Sequence, residues 1–78
     1  SPIEDKITEA DYEIIKNNAI KQLPPKRRII FEMSRDNGMS YKDISKELNI
    51  SVSTVKGQMS KALKTIREFL RTHGDVTV

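Results

Sequence analysis

Small, polar and basic side chains recur between residues 53 and 64 at the period of an α-helix. Lys56, Gly57, Ser60 and Lys61 would share one exposed side of such a helix. Lysine ammonium groups can donate to O6 and N7 of guanine, a serine hydroxyl can bond to several bases, and glycine lets the backbone approach closely. The pattern predicts contact with base edges in the major groove of DNA; a merely solvated helix surface is the alternative.

Hydroxyl groups stand at the expected start of the same helix. Ser51, Ser53 and Thr54 lie beside backbone N–H groups that have no partner within the helix, and these donors together can hold a phosphate oxygen. Helix capping alone is the other interpretation, since one geometry serves both purposes. The residues predicted to contact DNA phosphates are Arg28, Tyr41, Lys42, Ser51, Ser53, Thr54 and Lys64.

Two closely spaced helices are expected to position these side chains. Ser40 would cap a short helix, with Asp43 as its capping-box partner, and Ser51 would cap a longer one. The tight turn between them is Asn49-Ile50. The inward residues are expected to be Ile44 and Leu48 on the first helix, and Val55, Met59, Ala62 and Leu63 on the second. This pattern is typical of a helix-turn-helix, whose second helix usually lies in the major groove while the first crosses the DNA backbone.

Two further helices are expected upstream of this motif. The first spans about residues 9 to 21, and Thr8 with Asp11 would form its capping box. The second begins near Pro25 and ends at Asn37-Gly38. Their inward residues are expected to be Tyr12, Ile15, Ala19 and Leu23, then Ile29, Ile30 and Met33, with Phe31 on a flank. The last helix continues to about residue 72 and adds Ile66, Phe69 and Leu70 to its apolar side.

These elements define the expected fold class, an all-α four-helix domain that contains a helix-turn-helix. It corresponds to the winged-helix-like DNA-binding superfold without a wing. We expect the domain to cover residues 8–73, between a linker at residues 1–7 and a frayed tail at residues 74–78.

The composition narrows the classes of function. The chain has 78 residues, no cysteine and one histidine. It can bury a modest core but has little room for a deep catalytic cleft, and it offers neither a disulfide nor a thiolate metal site. His73 stands near the expected end of the last helix, where a polar or cationic residue suits the helix dipole. We therefore expect a domain that is not an enzyme, uses no cofactor or metal, inserts in no membrane and is cytoplasmic.

Positive charge is concentrated in the part of the chain that carries the helix-turn-helix. The net charge is +3 overall, but residues 1 to 20 carry −3, so residues 21 to 78 carry +6. Such an asymmetry favours binding to a polyanion. Lys26, Arg27 and Arg28 fall in the first turn of the second helix, where cations oppose the helix dipole. A phosphate or an acidic partner would explain them, but exposed helix-end charges cost little at physiological salt, so both interpretations stay open.

The segments, taken together, resemble region 4 of bacterial extracytoplasmic-function sigma factors. The matching segments are AIKQLPPKRRIIF at 19–31, GMSYKDIS at 38–45, LNIS at 48–51, TVK at 54–56 and KAL at 61–63. The resemblance implies recognition of the upstream element of promoter DNA, called minus 35, with base contacts from Lys56, Gly57, Ser60 and Lys61. It also implies binding to the β-subunit flap of RNA polymerase core and to an anti-sigma factor. A promoter-melting region would precede this chain in the complete protein.

The chain departs from the family pattern at several positions. Asp43-Ile44-Ser45 replaces Glu-Ile-Ala, Asn49 replaces glycine, Gln58 replaces a basic residue and Lys61 replaces arginine. Asparagine tolerates a left-handed turn better than most residues do. Gln58 brings one expected phosphate contact into question, and Lys61 lacks the rigid fork with which arginine binds guanine.

Two other interpretations stay open. A LuxR-type response-regulator domain also has four helices and a Ser-x-x-Thr-Val-Lys helix start, and it typically dimerises on inverted repeats. The Leu-Pro-Pro segment and the ending Lys61-Ala62-Leu63 favour the sigma interpretation. The third possibility is a protein-interaction module bound by an anti-sigma factor, which an exposed Phe31, Phe69 or Leu70 would favour.

Overall fold

The computed structural model describes residues 9–73, and the side chains of residues 12–72. Four α-helices follow one another in this part of the chain: α1 Glu9–Lys21, α2 Pro25–Arg35, α3 Tyr41–Leu48 and α4 Val52–His73. The all-α fold class and the order of the helices are therefore confirmed. The expected Thr8 cap, the linker at 1–7 and the tail at 74–78 lie outside the described residues, as do the side chains of Asp11 and His73. None of the described helices combines the length and apolar character needed to cross a bilayer.

Local signals in the sequence set the starts of α2 and α3. Pro25 occupies the first position of α2, where its missing N–H costs nothing, and the Arg28 N–H donates to the Pro24 carbonyl at 2.9 Å. Ser40 caps α3, because its Oγ accepts a bond from the Asp43 N–H at 3.0 Å. Among the described residues, the reciprocal bond from the Ser40 N–H to the Asp43 carboxylate does not form, so the predicted capping box is only half made. Aspartate is one methylene shorter than the glutamate that usually closes such a box.

The turn between α3 and α4 depends on one residue in the left-handed conformation. Asn49 has φ 56° and ψ 48°, a region that costs most residues about 1–2 kcal/mol and asparagine less. Its N–H reaches the Lys46 carbonyl, and the Ile50 N–H donates to the Ser45 carbonyl at 3.0 Å. These bonds satisfy the last carbonyls of α3 and redirect the chain, so that α4 begins three residues later.

The core forms around α4, which packs against each of the other three helices. The buried apolar residues are Ala19, Leu23, Ile30, Phe31, Ile44, Val55, Met59, Ala62 and Ile66. Half-buried residues that pack against them include Met33, Leu48, Leu63, Phe69 and Leu70. The predicted inward sides of α3 and α4 are confirmed. Tyr12 is 47% exposed, so its predicted place in the core is wrong.

The apolar side of α2 differs from the prediction at two positions. Ile29 is 48% exposed, whereas Phe31, expected on a flank, is 3% exposed and belongs to the core. Successive side chains of a helix are about 100° apart, so Ile29, Ile30 and Phe31 cannot all face the core. The aromatic ring, with its larger apolar surface, takes the buried position, and Ile29 borders a groove between α2 and α3.

Candidate nucleic-acid interface

The exposed side of the first turns of α4 forms one continuous polar surface. We call it the α4 face, and it consists of Ser53, Lys56, Gly57, Ser60, Lys61 and Lys64, all exposed. On the opposite side of the helix, Val55, Met59 and Ala62 are buried. At about 100° per residue, Gly57 lies near the middle of this face, with Lys56 and Gln58 at its two edges. The structure thus brings the four residues predicted to contact bases together on one surface.

Gly57 makes the middle of the α4 face shallow. No heavy atom from elsewhere in the domain lies within 4 Å of the position that a Cβ would take at residue 57. Glycine inside a helix costs about 0.8–1 kcal/mol relative to alanine. Neither crowding within the domain nor an unusual backbone angle at this residue requires a glycine here. Close approach of the backbone to a ligand would provide the reason.

The start of α4 combines a closed cap with free N–H groups. Ser51 Oγ accepts a bond from the Thr54 N–H at 2.9 Å and donates to Thr54 Oγ1 at 2.9 Å. The Val55 N–H donates to the Ser51 carbonyl at 3.1 Å. Capping by Ser51 is therefore confirmed. The N–H groups of Val52 and Ser53 precede the first intrahelical bond, so they can bind an anion together with the exposed Ser53 hydroxyl.

The remaining residues predicted to contact phosphate occupy different surroundings. Lys64 lies on the α4 face, and Lys42 is exposed in the first turn of α3. The ring of Tyr41 is half-buried and packs against the core. Arg28 is also half-buried, but it lines a groove between α1 and α2 together with Phe31. The structure therefore leaves Arg28 apart from the α4 face.

A hydrogen bond that sequence reasoning missed joins α2 to the edge of the α4 face. Arg27 Nε donates to Gln58 Oε1 at 2.9 Å, and both side chains are half-buried. The sequence marks Arg27 as part of a basic cluster and Gln58 as a departure from the family pattern. Their pairing depends on the first turn of α2 packing beside the second turn of α4, which no local pattern in the sequence indicates.

Two of the grooves on the described part of the chain border α2. A small apolar groove of about 180 Å³ lies between α2 and α3 and is lined by Lys26, Ile29, Ile30, Leu48 and Ile50. A wider groove of about 630 Å³ between α1 and α2 is lined mainly by side chains of both charges. Among the described residues, no three His, Cys, Asp or Glu side chains come together to form a possible metal site. The α4 face is therefore the candidate site for nucleic acid, and the apolar groove is a candidate site for a protein.

Comparison with known protein families agrees with this geometry. The family model described as Sigma-70, region 4 matches residues 17–66, which is more than half of the chain. No curated protein and no solved structure matches it. The matched segment begins within α1 and ends within α4, so it contains the helix-turn-helix and the whole α4 face. The chain therefore belongs to the sigma-70 region 4 family, whose members bind promoter DNA as parts of RNA polymerase sigma factors.

Proposed function

We propose that this chain reads the minus 35 promoter element for an extracytoplasmic-function sigma factor, and that the α4 face makes the base contacts. The observation that carries this proposal is the α4 face itself, an exposed cationic surface with a shallow middle on the second helix of a helix-turn-helix. Lys56 and Lys61 would donate to guanine O6 and N7, and Ser60 would bond to a neighbouring base edge. Gly57 would let the helix backbone approach the floor of the groove.

Groups around the α4 face would anchor the phosphate backbone on both sides of the bases that are read. At the start of α4, these groups are the free N–H groups and the hydroxyls of Ser53 and Thr54. Ser51 donates its hydroxyl proton to Thr54, so its own phosphate contact stays a prediction, and it would support the site by holding the helix start in place. Lys64 on α4 and Lys42 on α3 would add counterion release, which makes the affinity strongly dependent on salt. The Tyr41 hydroxyl stays a prediction, as does Arg28, which lies outside this surface.

A substitution of Lys61 tests the base contacts directly. We expect Lys61→Ala to weaken preference at one base pair of the recognised element by about 1–3 kcal/mol, while preferences elsewhere in the element stay as they are. Affinities for a set of duplexes that each differ by one base pair would measure this effect. Lys21→Ala is the matched control, because it removes the same charge from the end of α1. If Lys61→Ala leaves every preference unchanged, the α4 face is not the reading surface.

A second, separate observation supports contact with a protein. Ile29, which is half exposed, lines the apolar groove between α2 and α3, and so does Lys26. We propose that this groove takes an apolar segment of the β-subunit flap of RNA polymerase, and that an anti-sigma factor would compete for it. The two surfaces are distinct, since none of the residues that line the groove belongs to the α4 face.

The groove can be tested without disturbing the fold. Ile29→Asp should lower the melting temperature only a little, because about half of the side chain is already exposed, and should abolish any increase in DNA affinity that a β-flap peptide causes. Ile14→Asp is the control, since Ile14 is 59% exposed on α1 and lines neither groove. An unchanged flap effect in Ile29→Asp would exclude this groove as the flap site.

A further inference from the structure

The bond between Arg27 and Gln58 holds a guanidinium group in place without neutralising it. It is a side-chain bond between two different helices, whereas the bonds of Lys16 to Glu13 and of Ser51 to Thr54 join neighbours on one helix or across its cap. An amide oxygen accepts through its dipole and carries no net charge. Arg27 therefore keeps its full positive charge at a fixed position on the surface of the domain.

Most of the donors of this guanidinium remain available. Arginine has five N–H donors, and the bond to Gln58 uses the one on Nε. Within residues 12–72, no carboxylate lies within ion-pair distance of Arg27. The two Nη groups form a planar fork whose geometry matches the oxygens of a phosphate. The side chain is thus oriented for an anion that none of the described side chains supplies.

The position of the pair indicates which anion fits. Gln58 lies about 100° around α4 from Gly57, and it is about one turn from both Thr54 and Lys61. When a helix lies in the major groove, its exposed middle meets the base edges and its edges lie toward the phosphate backbones that border the groove. In such a complex Arg27, bound to Gln58 at this edge, would lie beside the backbone and not over the bases.

We propose that Arg27 binds a DNA phosphate through its Nη groups and that Gln58 is its positioning residue. This inference rests on the proposed DNA-binding function and adds a residue of α2 to the interface. It also explains why the first turn of α2 carries a cation that the helix dipole disfavours. At this edge of α4 the side chain of the helix itself, Gln58, is neutral, and Arg27 of α2 supplies the positive charge.

The salt dependence of binding tests the role of Arg27. The full chain and its Arg27→Ala variant would be titrated with one duplex between about 50 and 200 mM salt. Loss of one phosphate contact should weaken binding about three- to tenfold at the lowest salt and reduce the slope of log affinity against log salt by about 0.9. Over that fourfold range of salt, the difference between the two proteins should shrink about 3.5-fold. Base preference should not change.

Two further variants test whether a change in the salt slope comes from the charge of Arg27 at its position, and not from loss of any arginine or from unfolding. Arg35→Ala is the matched control, because it removes an arginine from the other end of α2. Arg35 Cζ lies 5.5 Å from the centroid of the Phe31 ring. In this variant the salt slope should stay unchanged. Arg27→Gln removes the charge but keeps a donor for Gln58, so it carries the same salt test even if Arg27→Ala fails to fold. Thermal melts would establish that each variant is folded.

The role of Gln58 needs a double-mutant cycle. Gln58→Ala should weaken duplex binding about two- to threefold in the parent chain and have no effect in the Arg27→Ala background, because its action passes through Arg27. An unchanged salt slope in Arg27→Ala and Arg27→Gln would overturn the phosphate contact while leaving DNA binding intact. An equal effect of Gln58→Ala in both backgrounds would overturn the positioning role. Failure of the parent chain to bind any duplex would overturn this inference together with the proposed function.

Discussion

Replacing Gly57 by alanine should make the isolated domain more stable. The added methyl group meets no heavy atom from elsewhere in the domain within 4 Å, and Gly57 is not among the residues with positive φ. Only helix propensity then changes, and it favours alanine by about 0.8–1 kcal/mol in a helix interior. For a domain of this size, 1 kcal/mol corresponds to about 4–8 °C in melting temperature. We therefore expect Gly57→Ala to raise the melting temperature by several degrees.

The same substitution should weaken DNA binding. The new methyl group would stand in the middle of the α4 face, where the proposed complex places the backbone close to base edges. Extra volume in a closely packed contact costs about 1–3 kcal/mol, so we expect duplex affinity to fall about fivefold or more. Stability and binding then change in opposite directions, a result that a purely structural role for Gly57 does not produce.

Thermal melting and duplex titration would measure the two effects on the same samples. Gly38→Ala is the matched control, because it also adds a methyl group to open space but at φ +65°. The left-handed backbone there should make alanine destabilising by about 1 kcal/mol. A melting temperature for Gly57→Ala that stays constant or falls would refute the reasoning from propensity. A higher melting temperature with unchanged affinity would refute the close approach of DNA to the α4 face.

Two further substitutions examine the helix-turn-helix. Ser51→Ala and Ser40→Ala each remove an N-cap bond and should each cost about 1 kcal/mol, measured by denaturant unfolding, but only Ser51→Ala should also lower duplex affinity beyond the loss of stability. Equal affinity losses in the two variants would argue against an anion site at the start of α4. Asn49→Ala should cost about 1 kcal/mol because residue 49 is left-handed, whereas Asn49→Gly should not. If those two variants are equally stable, the left-handed conformation of residue 49 does not explain why asparagine stabilises the turn.

Local signals explain why much of the fold could be predicted from the sequence. Pro25, Ser40, Asn49 and Ser51 act on backbone groups within four residues of themselves, so their effects are the same in almost any surrounding structure. The α4 face was predictable for a similar reason. Burying one side of a helix fixes which residues lie on the other side.

The features that the sequence did not predict depend on packing between helices. Ile29 and Phe31 are both apolar and adjacent to Ile30, and only the angle at which α2 meets its neighbours decides which of them is buried. The bond from Arg27 to Gln58 spans 31 residues of chain. It requires the relative position of α2 and α4, which hydrophobic periodicity does not give.

Selection and sequencing of random duplexes bound by this chain at low salt would test the central claim most directly. A parallel sample would contain a peptide of the polymerase β flap. We expect enrichment of one short asymmetric motif, strengthened by the flap peptide, because a single α4 face reads one stretch of the major groove. A palindromic motif would indicate that the chain binds DNA as a symmetric dimer, and no enrichment in either sample would contradict the claim that the α4 face reads promoter DNA.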